Sequence, residues 1–184
     1  MKYLLKNASL LFIVFVFVLF SGKVTAQATL NADTVKAQLI KDWQRVKAYT
    51  FAYLNTMPAD KYTFKAVDSI RSFAQQMLHL AQGNFGLMSR ATGQQSPVAR
   101  MINEKSLSAQ TKDSVVYYVG ASYDFAINAV TGLDAAKLGE NVAGTPFNRL
   151  TIIEKAIEHQ THHRGQATIY IRLLGIRPPN EQLF

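Results

Sequence analysis

Between Ala32 and Met57 the larger apolar side chains fall at Val35, Leu39, Trp43, Val46, Tyr49, Tyr53 and Leu54. Steps of mostly three and four put them on one face of an α-helix. Pro58 stops that pattern, because proline has no amide hydrogen to continue the ladder. The same reading predicts a second helix from Ser69 to Arg90 capped by Asp68, a third from Ser108 to Gly132 and a fourth from Asn148 to Gly175. The third carries Val115, Val119, Ser122, Ala126 and Val130 along one stripe. The fourth ends on Gly175, with Pro178 and Pro179 just beyond, a strong helix stop. No segment alternates apolar and polar residues over a strand's length; even "SVVYYV" continues into "GASYDFAINAV" at helical spacing. The expected fold is all-α, a four-helix bundle. Its loops 91–105 and 132–147 are long for a bundle, and such loops often cover one end of a site.

A different pattern precedes the first helix. Lys2 and Lys6 are followed by an unbroken apolar run from Leu10 to Phe20 and then by "SGKVTAQA". A basic start, a short apolar region and small residues at Val24 and Ala26 describe a secretory signal peptide. The run is shorter than the ~20 residues of a membrane span, which favours removal over anchoring. The expected organisation is a signal peptide over 1–26, cleaved after Ala26 (or after Ala28), and one domain over 27–184. The mature chain is then exported, periplasmic or secreted, with no stable membrane insertion.

Composition narrows the chemistry. With no cysteine, disulfides, lipid-modified cysteine, a thiolate nucleophile and thiolate metal ligands are all excluded. Any metal must be held by nitrogen and oxygen. The net charge of +8 falls to +5 once Lys2, Lys6 and Lys23 leave. No Lys/Arg cluster forms a nucleic-acid patch, so nucleic acid is not an expected partner.

Of four histidines, three lie in "EHQTHHRGQ", Glu158 to Gln166. Ile152, Ala156, His159, His163, Gln166 or Ala167, Tyr170 and Leu174 follow helical spacing, so His159 and His163 share the core-facing stripe, about 6 Å apart along the axis. Two imidazoles one turn apart can grip one ion, and coordination removes the cost of burying them. His162 aligns instead with Thr151, Lys155 and Glu158 on a polar face. Gln160 stands where H-E-x-x-H places its glutamate, which argues against a zinc protease of that design. The fourth histidine, His79, lies within 18 uncharged residues, "SFAQQMLHLAQGNFGLMS". Ile70, Phe73, Ala74, Met77, Ala81, Asn84 and Met88 form the apolar stripe there, and His79 points roughly opposite, beside Ser72, Gln75, Gln76, Gly83 and Gly86. That second face reads as a pocket wall or a polar subunit interface, and geometry alone leaves His79 open as a third ligand.

The segments "MPADKYTFKAVDSIRSFAQQMLHL" and "EHQTHHRGQATIYIRLLGIRPP", in that order, resemble the DinB-like (DinB/YfiT-like) family of bacterial four-helix bundles. The resemblance covers nearly all of the mature chain. It implies that His79, His159 and His163 coordinate one divalent ion, commonly zinc or nickel, with His162 a bystander. Three protein nitrogens leave a coordination position for water or substrate, as in catalytic sites. Some relatives are metal-dependent transferases acting with low-molecular-weight thiols, and one is a thiol-dependent isomerase. Those thiols are cytoplasmic, which conflicts with an exported chain. Two function classes follow. One is a metal-dependent transferase or hydrolase acting on a small molecule, with Glu158, Gln76, Tyr117 and Tyr118 as candidate helpers and no catalytic residue singled out. The other is a non-catalytic metal- or ligand-binding bundle able to pair as a homodimer.

Overall fold

The computed structural model describes residues 31–184. The signal peptide and its cleavage positions lie outside the described residues. Four helices follow in order: α1 (Ala32–Thr56), α2 (Phe73–Thr92), α3 (Lys112–Gly132) and α4 (Arg149–Leu173). Short 3₁₀ turns punctuate the connections. No strand occurs among the described residues, and a lone bridge pairs Asn141 with Asn148. The expected all-α architecture of four helices is therefore the one observed.

Helix α2 packs against both α3 and α4, and α1 also packs against both. This position explains the uncharged sequence of α2. Phe73, Ala74, Met77, Leu78, Leu80, Ala81, Phe85 and Met88 are all buried, together with Gln76 and Asn84. A charge on either side would have to be desolvated, at a cost of several kcal/mol. Trp43 of α1 is fully buried and meets Tyr123 of α3 edge-on, with ring centroids 5.9 Å apart. Tyr62, in the connection after α1, meets Phe73 likewise at 5.2 Å. Each such ring contributes about 1.5–3 kcal/mol through burial alone.

Two helix starts differ from the sequence expectation. Helix α2 begins at Phe73, not Ser69, and its cap is Ser72, not Asp68. The Ser72 hydroxyl accepts from Gln75 N at 3.2 Å while Gln75 Oε1 accepts from Ser72 N at 2.8 Å. This reciprocal capping box satisfies two amides at once, which Asp68 in the preceding turn does not do. Helix α3 begins at Lys112, capped by Thr111, and Ser108 belongs to a 3₁₀ turn, Leu107–Gln110. At α4 the expected signals operate. Asn148 Oδ1 accepts from Thr151 N at 2.8 Å, and Gly175 takes φ 74° just after the helix, a left-handed value that glycine adopts without strain.

The α2–α3 connection is tied down on α2. Ser72 Oγ donates to Gln110 Oε1 at 3.0 Å, and Gln110 Nε2 donates to the Glu104 carbonyl at 3.0 Å. Gln82 Nε2 reaches the Ile102 carbonyl at 3.4 Å. These bonds fix Glu104 above the α2 face that carries His79.

Candidate metal centre

Helices α2 and α4 bring three of the four histidines together. One ligand atom from each of His79, His159 and His163 lies within 4.8 Å of the others. On α4, His159 Nε2 and His163 Nε2 face each other at 3.2 Å. The His79 ring on α2 is 5.4 Å from that of His159 and 4.9 Å from that of His163, centroid to centroid. His163 is buried, whereas His159 and His79 are half-buried. The cluster therefore sits at the edge of the core with one side toward solvent.

Each ring is held differently. His163 Nδ1 lies 2.8 Å from Gln76 Oε1. Oxygen can only accept, so Nδ1 carries the proton and Nε2 presents its lone pair to the cluster. His79 Nδ1 lies 3.7 Å from Glu104 Oε2, a carboxylate that also takes Arg71 Nε at 3.4 Å. His159 packs on Gly83: a Cβ there would overlap its Cε1 and Nδ1. His159 Nδ1 is buried without a hydrogen-bond partner among the described residues. An amide on one imidazole and a carboxylate near another are the supports that orient metal-binding histidines.

Electrostatics keep the rings neutral. Burial pushes the His163 imidazole down to about 3, helped by the neighbouring His159 and His79. His159 is lowered by burial and then by His79 and His162. His79 is lowered by burial and by Arg71, with Glu104 opposing. Neutral imidazoles are the form that binds a cation. The donor set, three neutral nitrogens facing one point with no acid among them, is compatible with a divalent ion of the zinc type.

A polar cavity of about 540 Å³ has Arg71, Gln75, Gln76, Glu104 and Gln166 in its wall; none of the three histidines lines it, and it meets the cluster through Gln76 and Glu104. Gln76 thus joins the cavity wall to His163. The other nominated helpers lie elsewhere. Glu158 is exposed and 3.8 Å from Lys155. Tyr117 and Tyr118 meet edge-on with ring centroids 5.2 Å apart, and neither lines this cavity. His162 is exposed beside Gln166 and outside the three-histidine group.

Sequence reasoning missed Glu104, which lies in an irregular connection with no periodicity to read. It also misjudged the inner face of α4. Gln160 and Arg164 are buried, while Leu174 is only half-buried. The expected stripe of Ile152, Ala156, His163, Ala167 and Tyr170 is buried, and Gln160 and Arg164 turn inward beside it as polar residues that no hydrophobic stripe marks.

A helical bundle that presents three facing imidazoles between two of its helices defines a class of candidate metal-binding bundle proteins. The DinB family model matches residues 27–183, and the chain belongs to the DinB family. Solved structures share its fold, among them two DinB-like proteins. A DinB-like protein from Bacillus cereus is 15% identical, with a TM-score of 0.63, covering 78% of this chain and 95% of its own. A DinB-like protein from Bacillus subtilis, YjoA, is 18% identical, with a TM-score of 0.59, covering 80% and 96%. No curated protein matches the sequence.

Proposed function

We propose that this DinB-family protein is an exported metal-dependent enzyme of transferase or hydrolase type. It holds one divalent ion, zinc or nickel, through His79, His159 and His163. The observation that carries the reading is the convergence of three neutral imidazoles at the edge of the core, next to a cavity large enough for a small molecule. A bound divalent ion supplies Lewis-acid polarisation of a substrate oxygen. The protein's own groups do the rest. Gln76 fixes the His163 tautomer, Gly83 admits the His159 ring, and Glu104 lies in the cavity wall with Oε2 3.7 Å from His79 Nδ1, where it can exchange a proton with a substrate. Export rests on the Leu10–Phe20 run and the residues that follow it.

The test is a screen of esters, amides and thiol–acceptor pairs with protein of known metal content. The expected result is acceleration that His163→Ala abolishes and that Glu104→Gln lowers by at least tenfold. Silence across the screen at full metal occupancy would instead assign the chain to non-catalytic metal-binding bundles.

A further inference from the structure

Arg164 is a charged side chain buried in the bundle interior and only 5% exposed. Its Nη1 donates to Thr50 Oγ1 at 3.2 Å, Gln160 Oε1 at 3.0 Å and Tyr123 OH at 3.4 Å, and its Nη2 donates to Thr161 Oγ1 at 3.0 Å. Every acceptor is neutral, and Nε has no partner among the described residues. The Tyr49 ring lies 5.3 Å from the guanidinium carbon, a contact that offsets only part of such a charge. Among the described residues no carboxylate pairs with Arg164 by direct contact. A buried, uncompensated guanidinium is costly unless something negative approaches it.

Arg164 also lines a cavity of about 300 Å³ between α1 and α4, separate from the cavity beside the histidines. Arg45 stands in the same wall, with Nη1 donating to the Gln182 carbonyl at 2.7 Å and Nη2 paired with Asp42 Oδ1 at 3.1 Å, so Arg164 is the guanidinium without a carboxylate partner. The Gln182 contact draws the C-terminal tail across the opening. The hydroxyls in the wall are engaged with the protein: Thr161 and Thr168 donate to the Ile157 and Arg164 carbonyls at 3.0 and 3.1 Å, and Tyr53 OH lies 2.9 Å from Thr168 Oγ1. Burial and the Tyr53 hydrogen bond raise Tyr49 to about 12, so its hydroxyl stays protonated and adds no negative charge to the wall. The single carboxylate in the wall, Glu181, is exposed on the tail. The volume suits a small ligand, and two guanidiniums suit oxygen acceptors carrying negative charge.

We propose that this cavity is a second binding site, independent of the histidine cluster, which takes a small oxyanion (a carboxylate or phosphate group) between Arg164 and Arg45 beneath the C-terminal tail. Glu181 closes the mouth and repels the anion, so the tail sets the affinity.

The experiment is isothermal titration of the purified full-length protein with sodium phosphate and with sodium acetate, against sodium chloride at equal ionic strength. Saturable phosphate or acetate binding is expected, with chloride giving none, and the stronger of the two identifies the headgroup. Arg164→Gln and Arg45→Gln should each weaken binding at least tenfold, the loss expected for a charge-assisted contact. If Arg164→Gln fails to fold, Arg45→Gln at the mouth decides. Glu181→Gln should tighten binding several-fold, and His163→Ala should leave it unchanged. Absence of saturable binding overturns the proposal. So does an isotherm unchanged in Arg45→Gln, or one lost in His163→Ala, which would put the anion at the histidines. A Glu181→Gln protein that is destabilised and binds no tighter would make Glu181 the counter-charge of Arg164, and the proposal fails.

Discussion

At Gly83 the missing side chain makes room for the His159 ring, whose Cε1 and Nδ1 occupy the place a Cβ would take. Alanine there has two opposed effects. Helix propensity favours it over glycine by about 1 kcal/mol, while the overlap forces the imidazole to move, and overpacking costs about 1–3 kcal/mol. The net is a loss of about 0–2 kcal/mol in stability, and only the overlap touches the site. Gly83→Ala should therefore fold with a thermal midpoint within a few degrees of the parent and bind divalent metal at least tenfold more weakly, in the range typical for loss of a ligand's support. Metal titration beside a thermal melt checks both. Equal metal affinity would mean that His159 is not a ligand or is not held by this contact. The sequence placed Gly83 on the His79 face of α2, yet it could not reveal what approached that glycine, because the partner lies on another helix 76 residues away.

Among the elements, α2 depends most on its cap. Ser72 both closes the capping box and donates to Gln110 in the connection that carries Glu104. Ser72→Ala removes the cap, worth about 1 kcal/mol, and leaves Gln110 Oε1 short of a donor. The expected result is a loss of about 1–2 kcal/mol in chemical denaturation, together with faster hydrogen exchange in the connection. A stability unchanged within a few tenths of a kcal/mol would show that the box carries little of the helix's stability. Helix existence was legible throughout, because each long segment has its apolar period. Helix starts were less so. Asp68, Ser69 and Ser72 are all competent caps by residue type, and only the Gln75 side chain returning to the Ser72 amide chooses between them. On α4 the periodic stripe found His163 but overlooked Gln160 and Arg164, since a buried polar network carries no hydrophobic signal.

For the whole molecule, the all-helical bundle and the pairing of His159 with His163 followed from spacing alone. Bringing His79 to them required the family resemblance, because its helix face looked polar and its closure by α4 and the 93–111 connection is tertiary. Glu104 was illegible for the same reason. The proposed export rests on the sequence of the first 26 residues. Intact mass of the protein from its native host should correspond to a chain beginning at Gln27 or Thr29, and a full-length species embedded in membrane would contradict it. The central claim is that three particular histidines hold one ion and the fourth does not. The direct measurement is metal content, after dialysis, of four single variants purified without a histidine tag. His79→Ala, His159→Ala and His163→Ala should come out largely empty, since each removes one of three nitrogens from a shared site. His162→Ala, which removes an exposed ring, should keep one ion per chain. A parent that binds no metal, or three cluster variants that retain it, would contradict the account.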